Sequence, residues 1–259
     1  MRWIRYQGPN GLRYGIVEGE TIAEIDTTPF VAWQRTGATA ALSAVKTLVP
    51  VIPGTFYAIG ANYLAHAAAF GSPQVAAKGP DRPQPGYRAN SALCAHDEAI
   101  VIPAESGGIQ YEAELVVVIG KTARYVAQRD ALSIVLGYSI GNDVSERTWQ
   151  KADSGLWRAK NCDTFKPMGP WIETDVDLPR LVTRVRINGT QMLEFKTNDM
   201  VFGVERYIAE ITKYMTLHPG DVIWMGTEGS DADMKAGDVV EIELDQIGTL
   251  RNHVVAEKR

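Results

Sequence analysis

The chain has 259 residues, with 26 basic and 31 acidic side chains, so its formal net charge at pH 7 is −5. Hydrophobic residues make up 45% of the sequence and charged residues 22%, values typical of a globular protein, which excludes a disordered or collagen-like chain. The acidic balance argues against non-specific nucleic-acid binding, and no apolar run reaches the roughly 18 residues of a membrane helix.

The first residues and the two cysteines indicate the compartment. Arg2 and Arg5 interrupt the leading segment, and no apolar stretch of the kind found in signal peptides follows them. Cys94 and Cys162 match no metal-binding spacing, and two thiols cannot form a disulfide framework. We therefore expect a cytoplasmic protein whose cysteines are small, buried or half-buried side chains.

The first fifty residues predict a small N-terminal module. Residues 2–6 alternate between polar and apolar side chains, glycines at 8 and 11 supply a turn, and residues 12–17 are predicted to form a returning strand. The alanine-rich stretch 38–48 is predicted to be a helix, and Pro50 and Pro53 then break the chain. Residues 51–259 are expected to form the main domain.

A loop rich in proline and glycine follows. Residues 71–89 contain four prolines and three glycines, a density that predicts no regular secondary structure. Long irregular loops inside compact domains often serve a functional site. We expect a lid segment over about residues 61–90.

Strand patterns dominate from residue 110 onward. Helical patterns interrupt them at 130–136 and at Val204, Ile208, Ile211 and Met215, which form one apolar stripe that His218 to Gly220 should end. The sequence lacks a regular strand–helix alternation and a glycine-rich phosphate loop. These patterns predict a β-rich α+β fold, with strands at 111–119, 135–140, 181–187, 221–225 and 239–244.

Three carboxylates form a candidate metal site. Glu112 and Glu114 lie two apart at the start of a strand, so their side chains share one face. Apolar residues follow, so the strand enters a core, where neighbouring carboxylates repel each other unless a cation joins them. Asp143 adds a third ligand, and such a set suits Mg²⁺ or Mn²⁺. From spacing alone, the solvated face of an edge strand is the more common explanation of Glu-x-Glu.

Three further side chains have both a structural and a functional interpretation. Lys160 is by default a surface lysine, but beside an anionic substrate it is a charge partner. His66, in a segment of small residues that favours a helix, becomes a general-base candidate only if that segment closes over the carboxylates. Residues 226–230 are either a simple turn or a loop that directs N–H groups and the Thr227 hydroxyl at a carboxylate.

Taken in order, the motifs resemble the fumarylacetoacetate hydrolase family. The resemblance extends from about residue 56 to residue 255, which is most of the chain. It depends on several ordered segments, at 60–66, 111–115, 137–150, 160–170, 188–189, 219–223, 226–227, 237–238 and 247–252.

The resemblance implies a mixed β-roll or sandwich with peripheral helices, in a chain that usually forms a homodimer. It implies that Glu112, Glu114 and Asp143 bind Mg²⁺ or Mn²⁺ and that the substrate is a small anionic keto acid. It also implies roles for side chains around the metal: His66 and Lys160 as catalytic residues, and Gln150 near the substrate. Arg88, where many members have lysine, and Thr227 complete the expected substrate contacts.

Members of the family hydrolyse, decarboxylate or tautomerise β-diketo acids and related 2-keto acids. The sequence therefore predicts a hydrolase that cleaves a C–C bond in an acylpyruvate, or in a maleylpyruvate- or fumarylpyruvate-type acid, to give pyruvate and a carboxylic acid. A decarboxylase or enol–keto isomerase in aromatic catabolism stays open, as does a non-catalytic protein that binds a metal or ligand.

Two departures from the family pattern affect this prediction. Acylpyruvate-cleaving members carry a glutamate three residues after the histidine, where this chain has Ala69, and this weakens the hydrolytic assignment. The usual Gly-Thr-Pro is Gly226-Thr227-Glu228 here. The additional acid either repels an anionic distal group of the substrate or faces solvent.

Overall fold

A computed structural model describes residues 1–9, 11–70, 79–230 and 232–258. The strands in these ranges are, in chain order, β1 (Arg2–Gly8), β2 (Gly11–Glu18), β3 (Thr21–Ile25), β4 (Arg35–Ala41), β5 (Lys46–Thr47), β6 (Phe56–Ile59), β7 (Pro85–Tyr87), β8 (Leu93–Cys94), β9 (Ala99–Ile102), β10 (Ile109–Gln110), β11 (Ala113–Ile119), β12 (Val135–Asn142), β13 (Ser145–Glu146), β14 (Lys166–Glu173), β15 (Val182–Ile187), β16 (Thr190–Lys196), β17 (Val222–Trp224), β18 (Asp233–Met234), β19 (Val239–Leu244) and β20 (Gly248–Ala256). The α-helices are α1 (Leu64–Phe70), α2 (Arg147–Ala152), α3 (Trp157–Asn161) and α4 (Val204–Tyr214).

The strands form three sheets within the described ranges. The largest has the order β4-β3-β2-β1-β14-β12-β11-β17-β6-β7, with β5 paired to β1 and β8 paired to β14. A second sheet has the order β16-β15-β19-β20-β9, and a third joins β13, β10 and β18. Strands dominate and helices are few, which confirms the predicted β-rich α+β fold.

The central strand β11 is buried on both faces. Leu115, Val117 and Ile119 pack into the larger hydrophobic cluster, which also holds the apolar stripe of α4. Val116 and Val118 pack into a second cluster on the opposite face. A strand covered on both sides is apolar at successive positions, and this explains the uninterrupted run that follows Glu114.

Residues 1–50 extend the large sheet. β1 to β4 form an antiparallel series, and β1 joins β14, with Trp3 opposite Ile172. The predicted helix at 38–48 is wrong, because this stretch contains the end of β4, a short 3-10 helix (Leu42–Ala44) and β5. Pairing of β4 with β3 at the edge of the sheet outweighs the helical preference of alanine.

Three other local predictions need correction. Within the proline-rich segment, residues 71–78 lie outside the described residues, but Pro85–Tyr87 forms β7 against β6, so regular structure does occur there. β7 is an edge strand, where a proline without an N–H is tolerated. The predicted helix at 130–136 is a 3-10 helix over Gln128–Ile134, and α4 ends at Tyr214, before the predicted stop at His218.

Among the described residues, no helix combines the length and the apolar character that a bilayer crossing requires.

Candidate metal and substrate site

The three predicted carboxylates meet where two neighbouring strands begin and end. β11 and β12 are antiparallel, with Ala113 opposite Asn142, so the start of β11 lies beside the end of β12. Asn142 Oδ1 accepts the N–H of Glu112 at 2.9 Å, and the N–H of Asp143 donates to the Glu112 carbonyl, also at 2.9 Å. Each of Glu112, Glu114 and Asp143 offers a carboxylate oxygen within 4.8 Å of the others, and all three side chains are buried.

Asp143 is surrounded by basic side chains. The Arg88 guanidinium donates to both of its oxygens, Nε at 3.0 Å and Nη2 at 2.8 Å. Lys160 Nζ lies 3.0 Å from Oδ2, and Lys166 Nζ lies 2.7 Å from Oδ1. Burial disfavours ionisation of Asp143, but these three positive charges outweigh it and hold its pKa well below the ordinary value.

Glu112 has two basic partners of its own. Lys160 Nζ donates to Oε2, and Arg147 Nη1 donates to Oε1 at 2.7 Å. Burial raises the pKa of Glu112, but the charges of Lys160 and Arg147 lower it further, to about 2. Glu112 and Asp143 are therefore ionised at neutral pH, and Lys160 bridges them.

Glu114 lies beside these ionised groups without a basic partner among the described side chains. The backbone N–H of Gly226 donates to its Oε2 at 2.8 Å. Burial and the negative charges of Asp143 and Glu112 raise the pKa of Glu114 well above its ordinary value. A divalent cation supplies the positive charge that Glu114 lacks, and three carboxylate oxygens are ligands that Mg²⁺ and Mn²⁺ accept, so the residues fit such an ion.

His66 meets the condition set for a general-base candidate. It lies on α1, it is 8% exposed, and its Nε2 is 3.9 Å from Glu112 Oε1. Burial lowers the pKa of His66, so its imidazole is neutral at pH 7 and one ring nitrogen can accept a proton. Of the predicted lid, α1 thus brings His66 beside Glu112, and the closing of the segment over the site stays a prediction.

The other predicted residues lie near this cluster. Lys160 is buried, which excludes the surface interpretation. Gln150 Oε1 accepts a hydrogen bond from Arg147 Nη1 at 2.7 Å, so it reaches Glu112 through that arginine. Thr227 follows Gly226 in the loop after β17, and its hydroxyl accepts the N–H of Gly229 at 3.3 Å. The edge-strand interpretation of Glu-x-Glu is also excluded, because both side chains are buried.

Sequence reasoning missed Lys166 and the contacts of Arg147. Lys166 is fully buried at the start of β14 and donates to the carbonyls of Phe165 and Val144 as well as to Asp143. A lysine in a strand of otherwise buried residues is a signal that could have identified it. Arg147 lies within the motif at 137–150, but no pattern in the sequence indicates its bond to Glu112.

The chain matches two family models. Residues 55–255 match the one described as fumarylacetoacetate (FAA) hydrolase C-terminal, and residues 1–50 match the one described as Rv2993c-like, N-terminal. The 2,4-didehydro-3-deoxy-L-rhamnonate hydrolase of a Sphingomonas species is 39% identical over 213 residues, which cover 78% of this chain and 73% of that protein.

Solved structures with the same fold carry different activities in their names. The 5-carboxymethyl-2-hydroxymuconate delta-isomerase from Mycobacterium smegmatis aligns with a TM-score of 0.90 and 34% identity, over 99% of this chain and 100% of that one. The maleylpyruvate hydrolase from Sphingobium sp. SYK-6, in complex with manganese(II) and pyruvate, aligns with a TM-score of 0.81 and 28% identity, over 100% of both chains.

Proposed function

Since the chain belongs to the fumarylacetoacetate hydrolase family, whose enzymes include hydrolases and isomerases, we propose that it is a metal-dependent C–C hydrolase. Its substrate is a small β-diketo acid of the acylpyruvate, maleylpyruvate or fumarylpyruvate type, and its products are pyruvate and a carboxylic acid. The observation that carries the proposal is the buried cluster of three carboxylates, one of which lacks a basic partner among the described residues.

The charges around the cluster support an anionic substrate. Glu112, Glu114 and Asp143 would hold Mg²⁺ or Mn²⁺, and such an ion supplies a Lewis acid for the substrate carbonyl. Within the described ranges, four basic side chains contact the carboxylates: Arg88, Arg147, Lys160 and Lys166. With the ion bound, positive charge exceeds negative charge in this buried space, and a keto acid carrying one or two negative charges offsets the difference.

His66 is the base in this proposal. Its neutral imidazole accepts a proton from a water molecule that attacks the distal carbonyl, and the protonated ring then lies beside the carboxylate of Glu112. Lys160, which bridges Glu112 and Asp143, offsets negative charge that develops on the substrate. Arg88 and Arg147 hold Asp143 and Glu112 in place, and Gln150 and Thr227 are the expected substrate contacts in this proposal.

Decarboxylation or enol–keto isomerisation is the second candidate. Ala69 favours it, because the glutamate that accompanies the histidine in acylpyruvate-cleaving members is absent at that position. The solved isomerase from Mycobacterium smegmatis also supports it, since its name records isomerisation on a fold that matches this chain with a TM-score of 0.90.

Family membership further supports a homodimer.

A panel of diketo acids, assayed with and without Mn²⁺ and followed by mass analysis of the products, tests the proposal. Hydrolysis gives pyruvate and a second carboxylic acid, which should disappear in His66→Ala and in Glu114→Gln. Carbon dioxide as the product instead identifies a decarboxylase, and a product of unchanged mass identifies an isomerase. A tight cation site without turnover on any member of the panel contradicts the enzymatic proposal.

A further inference from the structure

The loop after β17 contacts both the carboxylate cluster and His66. The N–H of Gly226 is bonded to Glu114 Oε2 at 2.8 Å. Three residues later, a Cβ placed on Gly229 would lie 3.6 Å from Nδ1 of His66, so the loop passes directly against the imidazole. Glu228 stands between these two contacts, and two residues of extended chain span only about 7 Å. Its backbone is therefore adjacent to the space between the carboxylates and His66.

A second segment, residues 197–202, is fastened at the same place. The Tyr63 hydroxyl donates to the carbonyl of Thr197 at 2.5 Å. The Asn62 amide donates to the carbonyl of Phe202 at 3.1 Å and to that of Met225, the first residue of the loop, at 2.9 Å. Asn62 thus ties the segment that carries Asp199 to the loop that carries Glu228, just before α1 brings His66 into the site.

The charges of these two acids, Glu228 and Asp199, interact, and their negative sign contrasts with the basic side chains around the carboxylates. Glu228 is half-buried and Asp199 is exposed, and neither forms an ion pair within the part of the chain that the structure describes. Burial and the charge of Asp199 raise the pKa of Glu228. Burial also raises the pKa of Tyr63, and the charges of Glu114 and Glu228 raise it further. Glu114 and Glu228 therefore both lie near the Tyr63 ring.

We propose that Glu228, assisted by Asp199, makes the site selective for keto acids whose far end is uncharged, which narrows the proposed substrates to acylpyruvates and excludes the maleylpyruvate and fumarylpyruvate types. This inference rests on the proposed function only in assuming that the carboxylate and keto group of the substrate bind at Glu112, Glu114 and Asp143. The far end of a short keto acid then extends from the cluster towards His66 and the loop. A second carboxylate there meets the uncompensated charge of Glu228 in a partly desolvated space, whereas a methyl group does not.

Binding of two inert ligands of equal chain length tests the selectivity. We compare 2-oxopentanoate with 2-oxoglutarate, which ends in a carboxylate, by calorimetry at pH 8 on the Mn²⁺-loaded protein. The wild type should bind 2-oxopentanoate at least tenfold more tightly. Glu228→Gln should reduce this ratio of affinities at least threefold, because 2-oxoglutarate alone binds more tightly to the variant. The control Glu20→Gln changes an exposed acid in the β2–β3 turn and should leave the ratio unchanged.

Three results overturn the inference: equal affinities in the wild type, a Glu228→Gln effect of the same size on both ligands, or binding of neither ligand. Turnover of acylpyruvates with charged and uncharged acyl groups, measured in parallel, separates this inference from the proposed function. Selective binding without C–C cleavage contradicts the hydrolase and leaves the selectivity intact. Cleavage of both substrates at equal kcat/KM, unaffected by Glu228→Gln, contradicts the selectivity and leaves the hydrolase intact.

Discussion

Glu112 and Glu114 lie two residues apart and are both buried, yet their surroundings differ. Glu112 is paired with Lys160 and Arg147, whereas Glu114 receives one backbone N–H and faces two other carboxylates. A buried carboxylate without a basic partner destabilises the fold unless a cation joins it. Glu114 thus lowers the stability of the metal-free protein and raises its affinity for the ion.

This difference predicts opposite effects of two matched substitutions. When folding raises the pKa of a carboxyl group, the protein loses stability as the pH rises above the pKa that the group has in the unfolded chain. At pH 8 and without metal, Glu114 therefore opposes folding. In EDTA at pH 8, Glu114→Gln should therefore raise the free energy of unfolding by about 1–3 kcal/mol. Glu112→Gln, which leaves Lys160 and Arg147 without their carboxylate, should lower it by about 3–5 kcal/mol.

Urea denaturation of the two variants and the wild type measures these changes. Added Mn²⁺ should stabilise the wild type and leave Glu114→Gln almost unaffected, because the variant lacks one of the three ligands. A loss of stability in Glu114→Gln in EDTA, as large as that in Glu112→Gln, contradicts this assignment of charges.

At the scale of the element, strands β11, β12 and β17 have to lie close together for the carboxylates to meet. Gly141 of β12 pairs with Glu114, and a Cβ on Gly141 would lie 2.7 Å from the ring of Trp224 in β17. Trp224 is fully buried, and its ring occupies the space that this glycine leaves open. The glycine thus allows a large aromatic residue to pack across the strand that carries the site.

Gly141→Ala is predicted to destabilise the protein by about 1–3 kcal/mol, because the added methyl group overlaps the Trp224 ring and shifts β12 beside Glu114. Gly60→Ala is the matched control, since a Cβ there meets nothing within 4 Å. Its free energy of unfolding should change by no more than about 0.5 kcal/mol. Urea denaturation compares the two variants, and equal losses of stability contradict the packing argument.

The elements that position the site were predictable to different degrees. The stretch around Glu114 was identified because a long apolar run follows the two glutamates, and burial on both faces of β11 is the reason for that run. Residues 38–48 were assigned to the wrong element, because pairing at a sheet edge decides their conformation. The role of Lys166 depends on which carboxylate its buried ammonium group reaches, and this depends on the pairing of β14 with β12.

At the scale of the whole molecule, charge is distributed unevenly. The chain carries a formal net charge of −5, but its buried site places Arg88, Arg147, Lys160 and Lys166 around three carboxylates. The site draws on residues from position 66 to position 227, so no shorter segment contains all of its groups. Pairing in the large sheet brings these distant groups together, which is why family motifs spread over most of the chain predicted the site better than any single motif.

Crystals soaked in Mn²⁺ and measured at the manganese absorption edge show whether the three buried carboxylates bind one divalent cation. We expect one strong anomalous peak, about 2.2 Å from a carboxylate oxygen of each of Glu112, Glu114 and Asp143. Crystals of Glu114→Gln treated in the same way should lack it. A wild-type map without density between these side chains, or with manganese bound only elsewhere, contradicts the account.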